Sequence, residues 1–214
     1  MNRRRELHSA RSSSFAGSTG SNTRRWSMER WTSRLMSLSR RSRASWPRNS
    51  EGGFRAQAVV ASLMDLMAGA FRTSTRRIND PSRTVPGDVV VMRADKSGVE
   101  RVLEVRDKAV TYDDLLILAT RAADKGVSDA IMVAIASSQL DIRFHEAQAW
   151  AAQKGVALTI FQDWATLIRQ VLLWSSTPTL EGARKFSRIM QERLVAMEAS
   201  EEAVDSWAKR FDKP

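Results

Sequence analysis

Beyond about residue 50, the apolar residues of this chain switch repeatedly between helical and strand spacing, and this alternation constrains the fold more than any other feature. Two strand-like segments flank a Gly-containing turn at residues 95–98, which predicts an antiparallel hairpin. Downstream, helical and strand patterns alternate. Strands joined through a helix need a crossover connection, so we expect the later strands to be parallel. The predicted class is α/β, with a mixed β-sheet flanked by helices.

Caps, glycines and apolar stripes give the boundaries of the predicted elements. Asn49 or Ser50 is predicted to cap the first helix, on which Asp65 lies opposite the apolar stripe and should be solvated. Thr111 and Asp114 have the spacing of a capping box, which predicts another helix after the hairpin. The remaining predicted elements are an edge strand at 71–78, hairpin strands at 88–94 and 99–108, a strand at 130–136, a helix at 140–154, a strand at 156–161, a helix at 163–174 and an amphipathic stretch at 180–211.

Residues 1–50 differ in composition from the rest of the chain. They hold twelve Arg, thirteen Ser, no Lys and two acids, and so carry the whole net charge of +10. Residues 51–214 hold 22 basic and 22 acidic residues, so they have no global basic field. We therefore expect a disordered basic arm or non-native extension at 1–50, a core domain at 51–176, and a C-terminal helical segment at 177–214.

Three interpretations of residues 1–50 remain open. The segment has the composition of a basic arm that binds phosphates. It also has the composition of a transit peptide, which is rich in Arg and Ser and poor in acids. Alternatively it was never selected to fold, as with a wrongly assigned start or out-of-frame translation. The absence of Lys favours the third interpretation, because a phosphate-binding arm gains nothing from excluding Lys.

Two acids are placed symmetrically about the predicted turn. Asp88 and Glu104 are each eight residues from Lys96, so a turn centred there puts them opposite or nearly opposite on adjacent strands. Two carboxylates this close repel each other, and a shared divalent cation such as Mg²⁺ relieves the repulsion. Strand alternation further predicts that Arg106 and Lys108 share the face of Glu104, while the opposite face is apolar and packs.

This set of side chains suits phosphodiester hydrolysis. A metal held by carboxylates polarises the phosphate and lowers the pKa of a bound water, and a neighbouring cation stabilises the charge of the transition state. However, acid-bearing hairpins are common, and an Asp–Glu pair at this spacing also occurs on solvated surfaces.

The segments Pro86-Gly-Asp-Val-Val-Val91 and Leu103-Glu-Val-Arg-Asp-Lys108 together resemble the active-site motif of the PD-(D/E)XK nuclease superfamily. The order of predicted elements from about residue 51 to 162 is similar to the αβββαβ core of that restriction-endonuclease-like fold. The amino-acid sequence around Glu104 is most similar to that of type II restriction endonucleases of the SacI family. The resemblance implies a Mg²⁺-dependent, site-specific deoxyribonuclease that cuts double-stranded DNA, in which Asp88 and Glu104 bind the metal.

This sequence departs from the family pattern in two places. The family's Pro-Asp is interrupted here by Gly87. The Lys of the acid-x-Lys triplet is replaced by Arg106, which stays protonated and cannot accept a proton from water, although it can bind phosphate. We expect Arg106 and Lys108 to share the role of the missing Lys, or the site to be weakened.

The resemblance also implies partners. It implies pairing with a protecting DNA methyltransferase, and the class favours a homodimer because palindromic sites mirror a two-fold axis. Family members tend to be longer on the N-terminal side, so a recognition domain is expected to be missing. No apolar run reaches the roughly 18 residues that span a membrane, and there is no cysteine, so we expect a cytoplasmic protein without membrane contact. The alternatives are a repair or mobile-element nuclease and a non-catalytic, degenerate DNA-binding remnant.

Overall fold

The computed structural model of the protein describes residues 53–75, 86–136, 138–139 and 142–211. The predictions made for residues 1–50 lie outside these ranges, as do residues 76–78 of the predicted edge strand. Within the described ranges, no helix is both long enough and apolar enough to cross a bilayer.

Six helices and five strands make up the described part of the chain. The helices are α1 (Phe54–Ala68), α2 (Tyr112–Asp124), α3 (Phe144–Gln153), α4 (Trp164–Trp174), α5 (Thr179–Ala196) and α6 (Glu201–Phe211). The strands are β1 (Thr73–Thr75), β2 (Val89–Met92), β3 (Val99–Arg106), β4 (Asp129–Ala134) and β5 (Ala157–Phe161). A short 3₁₀ turn, Ala70–Arg72, connects α1 to β1.

The five strands form one sheet whose spatial order is the order of the chain, β1-β2-β3-β4-β5. β1, β2 and β3 pair antiparallel, whereas β3, β4 and β5 pair parallel. The mixed sheet flanked by helices is therefore confirmed, and so are the parallel later strands. β3 is the central strand, with an antiparallel neighbour on one side and a parallel neighbour on the other.

Helices cover both faces of the sheet. One face packs against α1 and α4 through side chains that include Val89, Leu103 and Ile131, and α5 and α6 belong to the same apolar core. The other face packs against α2 and α3 through side chains that include Val102 and Met132. The prediction that the hairpin has only one apolar, packed face is therefore wrong, because the crossover helices of a parallel sheet cover both of its faces.

The sequence predicted the start of α2 more accurately than the start of α1. Thr111 caps α2, and its side chain and that of Asp114 exchange hydrogen bonds with the backbone as a capping box. By contrast, α1 begins at Phe54 with Gly53 at its N-cap position, and the predicted caps Asn49 and Ser50 lie outside the described residues. β2 and β3 are also shorter than predicted, so Lys108 lies beyond the end of its strand.

Helix α5 packs against α1 and belongs to the same core. Its Phe186, Met190 and Leu194 are buried in the layer that α1 forms on the sheet. Arg193 of α5 donates to both carboxylate oxygens of Asp65, with Nε–Oδ2 at 2.8 Å. The Asp65 side chain is only 6% exposed, so the prediction that Asp65 is solvated is wrong. The position opposite the apolar stripe of α1 is covered by a helix more than a hundred residues later in the chain.

Candidate active site

The register of the β2–β3 hairpin is the one that the spacing about Lys96 predicts. Val89 pairs with Leu103, Val90 with Val102, and a register shift appears only towards the turn, at Met92. Continued by one residue beyond Val89, this register sets Asp88 opposite Glu104. Asp88 precedes β2, and its N–H donates to the carbonyl of Leu103 at 2.9 Å. The two acids therefore occupy neighbouring positions at the base of the hairpin, the end remote from the turn.

The carboxylate of Asp88 reaches across to β3. Its Oδ2 accepts a hydrogen bond from the backbone N–H of Val105 at 2.9 Å. That nitrogen lies roughly 2.5 Å from the Cα of Glu104 by standard peptide geometry. Asp88 Oδ2 therefore lies within roughly 5.5 Å of the Glu104 Cα, by the sum of these two lengths. The backbone of β3 thus holds the Asp88 carboxylate beside the residue that bears the second acid.

Gly87 allows β2 to approach β3 this closely. A Cβ at Gly87 would lie 2.5 Å from Val102 Cγ2 and 2.7 Å from the carbonyl oxygen of Leu103. Both distances are far below van der Waals contact, and the second involves backbone that cannot rotate away. The Gly that interrupts the family's Pro-Asp pattern therefore has a physical role, because no side chain fits immediately before Asp88.

Glu104 is one of the few buried polar residues among those described, with 7% of its surface exposed. It lies in β3 between Leu103 and Val105, which pack on the α1 side of the sheet, so it points to the α2 side. Its Oε1 accepts from Nη2 of Arg106 at 2.7 Å. The alternative of a solvated acid pair therefore does not describe Glu104, because a buried carboxylate needs a charged or polar partner.

Arg106 also acts on a third acid. Burial works against ionisation of Asp114, but hydrogen bonds from Thr111 and the positive charge of Arg106 outweigh it and lower the pKa of Asp114 below its ordinary value. The Arg106 side chain is 44% exposed. The guanidinium therefore contacts the buried Glu104 while part of its surface is open to solvent.

Lys108 does not belong to the same strand face as Glu104 and Arg106. β3 ends at Arg106, and Lys108 lies in the exposed bend that follows. The strand alternation that was predicted to align Lys108 with Glu104 ends two residues too early to do so. Lys108 remains close in sequence to the base of the hairpin, but the described contacts do not join it to the two acids.

The donor set fits a hard divalent cation. Within the described ranges, no group of three or more His, Asp or Glu side chains is placed to hold a metal. Mg²⁺ does not require such a group, because it commonly takes one or two carboxylates and completes its shell with water and substrate oxygens. Asp88 and Glu104 bear carboxylates at neighbouring positions of the hairpin base, and the N–H of Val105 in β3 fixes one oxygen of Asp88. Carboxylate oxygens are among the ligands that Mg²⁺ selects.

One polar residue that touches this site was not predicted from the sequence. Gln57 of α1 donates from Nε2 to the carbonyl oxygen of Asp88 at 2.7 Å. It is 5% exposed and is flanked in sequence by the buried Ala56 and Ala58. The signal was available, because a long polar side chain on the buried face of a helix needs a partner. The partner itself, 31 residues later, follows no local pattern.

Comparison with known proteins gives one informative relative. No protein-family model matches the chain. The chain is similar to the type II restriction enzyme SacI of Streptomyces achromogenes, with 27% identity over 158 residues. The aligned part covers 72% of this chain and 43% of that enzyme, so the chain spans less than half the length of this relative.

Proposed function

We propose that this chain is a Mg²⁺-dependent endonuclease that cuts double-stranded DNA, of the kind found in restriction–modification systems. The hydrogen bond from Val105 N–H to Asp88 Oδ2 carries the proposal, because it holds one acid beside the other at the base of the hairpin. The similarity to a type II restriction enzyme supports the choice of DNA as substrate. By the same analogy, we propose a methyltransferase that protects the host DNA, and a homodimer for palindromic sites.

In this proposal different residues of the chain bind the ion, bind the phosphate and attract the DNA backbone. Asp88 and Glu104 hold the ion, which when bound polarises the scissile phosphate and lowers the pKa of a water molecule. Arg106 donates to a phosphate oxygen through the exposed part of its guanidinium, and stabilises the negative charge that grows in the transition state. Lys108, exposed just after β3, attracts the DNA backbone as a point charge.

The experiment is plasmid cleavage by the full chain with Mg²⁺ and again with EDTA. We expect discrete fragments with Mg²⁺ and intact plasmid with EDTA. Asp88→Asn should lower the cleavage rate by at least about 100-fold, the loss typical of removing one group that stabilises a transition state. Asp95→Asn, in the turn of the same hairpin, is the matched control and should cut like the parent chain.

Two results would contradict the proposal. Cleavage that persists in EDTA would exclude the metal-dependent mechanism. Cleavage by Asp88→Asn at the parent rate would exclude the site itself. A smear in place of discrete fragments would support a nuclease without sequence specificity, as in the repair or mobile-element alternative.

A second candidate is a degenerate DNA-binding remnant of such an enzyme. The observation that favours it is the ion pair of Arg106 with Glu104, in which the guanidinium occupies a carboxylate oxygen that the ion would need. An arginine also cannot act as the base that a lysine can become. A chain that binds DNA but cuts no plasmid at any Mg²⁺ concentration would favour this second candidate.

A further inference from the structure

Gln57 is a buried amide that contacts the backbone of a candidate metal ligand. It lies in the first turns of α1, where the residues around it pack in the core. Its Nε2 donates to the carbonyl oxygen of Asp88 at 2.7 Å, and the two residues are 31 positions apart in the chain. The contact joins the helical layer directly to the first residue of the proposed site.

We propose that Gln57 is a positioning residue, which fixes the peptide of Asp88 and thereby aims its carboxylate at the divalent ion. This inference rests on the proposed function and deepens it. Gln57 takes no part in the chemistry, since its amide contacts a backbone oxygen of the protein and not a reacting atom.

The geometry gives Asp88 three fixed atoms. Its N–H donates to Leu103 O, its carbonyl accepts from Gln57 Nε2, and its Oδ2 accepts from Val105 N–H. Two of these contacts come from β3 and one comes from α1, so the residue is held from two sides. An aspartate side chain has only two torsions, so fixing its peptide and one carboxylate oxygen leaves little freedom for the other oxygen. Such preorganisation is what a metal site needs from the residues behind its ligands.

A purely structural role for Gln57 is the competing explanation, because a buried carbonyl needs a donor wherever it occurs. The chain contains a matched case. Gln148 of α3 donates from Nε2 to the carbonyl oxygen of Leu158 in β5 at 3.0 Å. Gln57 joins a helix to the carbonyl immediately before β2, and Gln148 joins a helix to a carbonyl within β5, but Leu158 is not a candidate metal ligand. A structural role predicts the same consequences at both positions, whereas a positioning role predicts a difference.

The experiment compares Gln57→Met and Gln148→Met in the full chain. Mn²⁺, standing in for Mg²⁺, is titrated without DNA, and the free ion is followed by its electron paramagnetic resonance signal. We expect Gln57→Met to bind Mn²⁺ roughly 10- to 100-fold more weakly, the effect typical of losing a group that orients a ligand. Gln148→Met should bind Mn²⁺ like the parent chain. Its thermal unfolding midpoint should shift by about as much as that of Gln57→Met.

Gln57→Asn is the second variant, in case Gln57→Met fails to fold. It keeps an amide but is one methylene too short to reach Asp88, so it should weaken Mn²⁺ binding in the same direction. Equal Mn²⁺ affinity of the parent chain and the folded Gln57 variant would overturn the inference, and so would equal losses at Gln57 and Gln148. If the parent chain itself neither binds Mn²⁺ nor cuts plasmid, the proposed function fails, which is a distinguishable result.

Discussion

The base and the tip of the β2–β3 hairpin both contain Gly and Asp, but the surroundings of these residues differ at the two ends. The base has Gly87, Asp88 and Glu104, whereas the tip has Asp95 and Gly98. At the tip, the N–H and hydroxyl of Ser97 both donate to Asp95 Oδ1 and lower the pKa of Asp95, which is fully exposed. At the base, the contacts of Asp88 include residues 17 and 31 positions away.

The two glutamates of β3 differ in burial. Glu100, towards the tip, pairs with Arg72 and Arg101, and its side chain is 37% exposed. Glu104, towards the base, pairs with Arg106 and its side chain is 10% exposed. Water reaches the carboxylate of Glu100 more readily than that of Glu104, although Arg106 itself is 44% exposed. Neither an acidic residue nor an ion pair identifies a functional site by itself. Burial separates Glu104 at the base from Glu100 towards the tip, and contacts from distant parts of the chain separate Asp88 from Asp95.

The largest expected difference between base and tip concerns the two glutamates. Glu104→Gln keeps the size of the side chain but removes the charge that would hold the ion, so we expect a loss of at least about 100-fold in plasmid cleavage. Glu100→Gln should leave cleavage unchanged and cost at most about 1 kcal/mol in unfolding free energy, as for other surface ion pairs. Equal cleavage rates for the two variants would remove the distinction between base and tip.

The two glycines should differ in stability. In Gly87→Ala the new Cβ meets Val102 Cγ2 and Leu103 O, so we expect a loss of about 1–3 kcal/mol from overpacking, measured by urea unfolding. A Cβ at Gly98 has no atom within 4 Å, so Gly98→Ala is the matched control and should unfold like the parent chain. If Gly87→Ala is as stable as the parent, the close approach of β2 to β3 is not required.

The smallest effect concerns Asp114. Its pKa is lowered by hydrogen bonds from Thr111, as that of Asp95 is by Ser97, and also by the positive charge of Arg106. A pKa lowered in the folded state contributes stability above about pH 4, and this contribution is lost as the pH falls through the folded value. Asp114→Ala should therefore cost about 1 kcal/mol or less at neutral pH, and less still in acid. The control is Asp113→Ala, exposed in the same first turn. A cost for Asp114→Ala that does not shrink in acid would contradict the assignment.

Much of the architecture was predictable because the signals for it are local. The capping box of Thr111 and Asp114, and the buried stripe of α2 that follows it, needed only residues within one helix. The hairpin register next to Asp88 also followed from spacing about the turn. The ends of strands were less predictable: nothing in the sequence around Arg106 shows that β3 ends there and leaves Lys108 outside it.

The sequence by itself determined the α/β class, the antiparallel and parallel parts of the sheet, and the pairing that brings Asp88 towards Glu104. Only the tertiary structure decided that Glu104 is buried, that Asp65 is covered by Arg193, and that Gln57 holds Asp88. The physical reason is the range of the interactions. Periodicity and caps encode contacts within a few residues, whereas burial depends on which distant helix comes to cover each position.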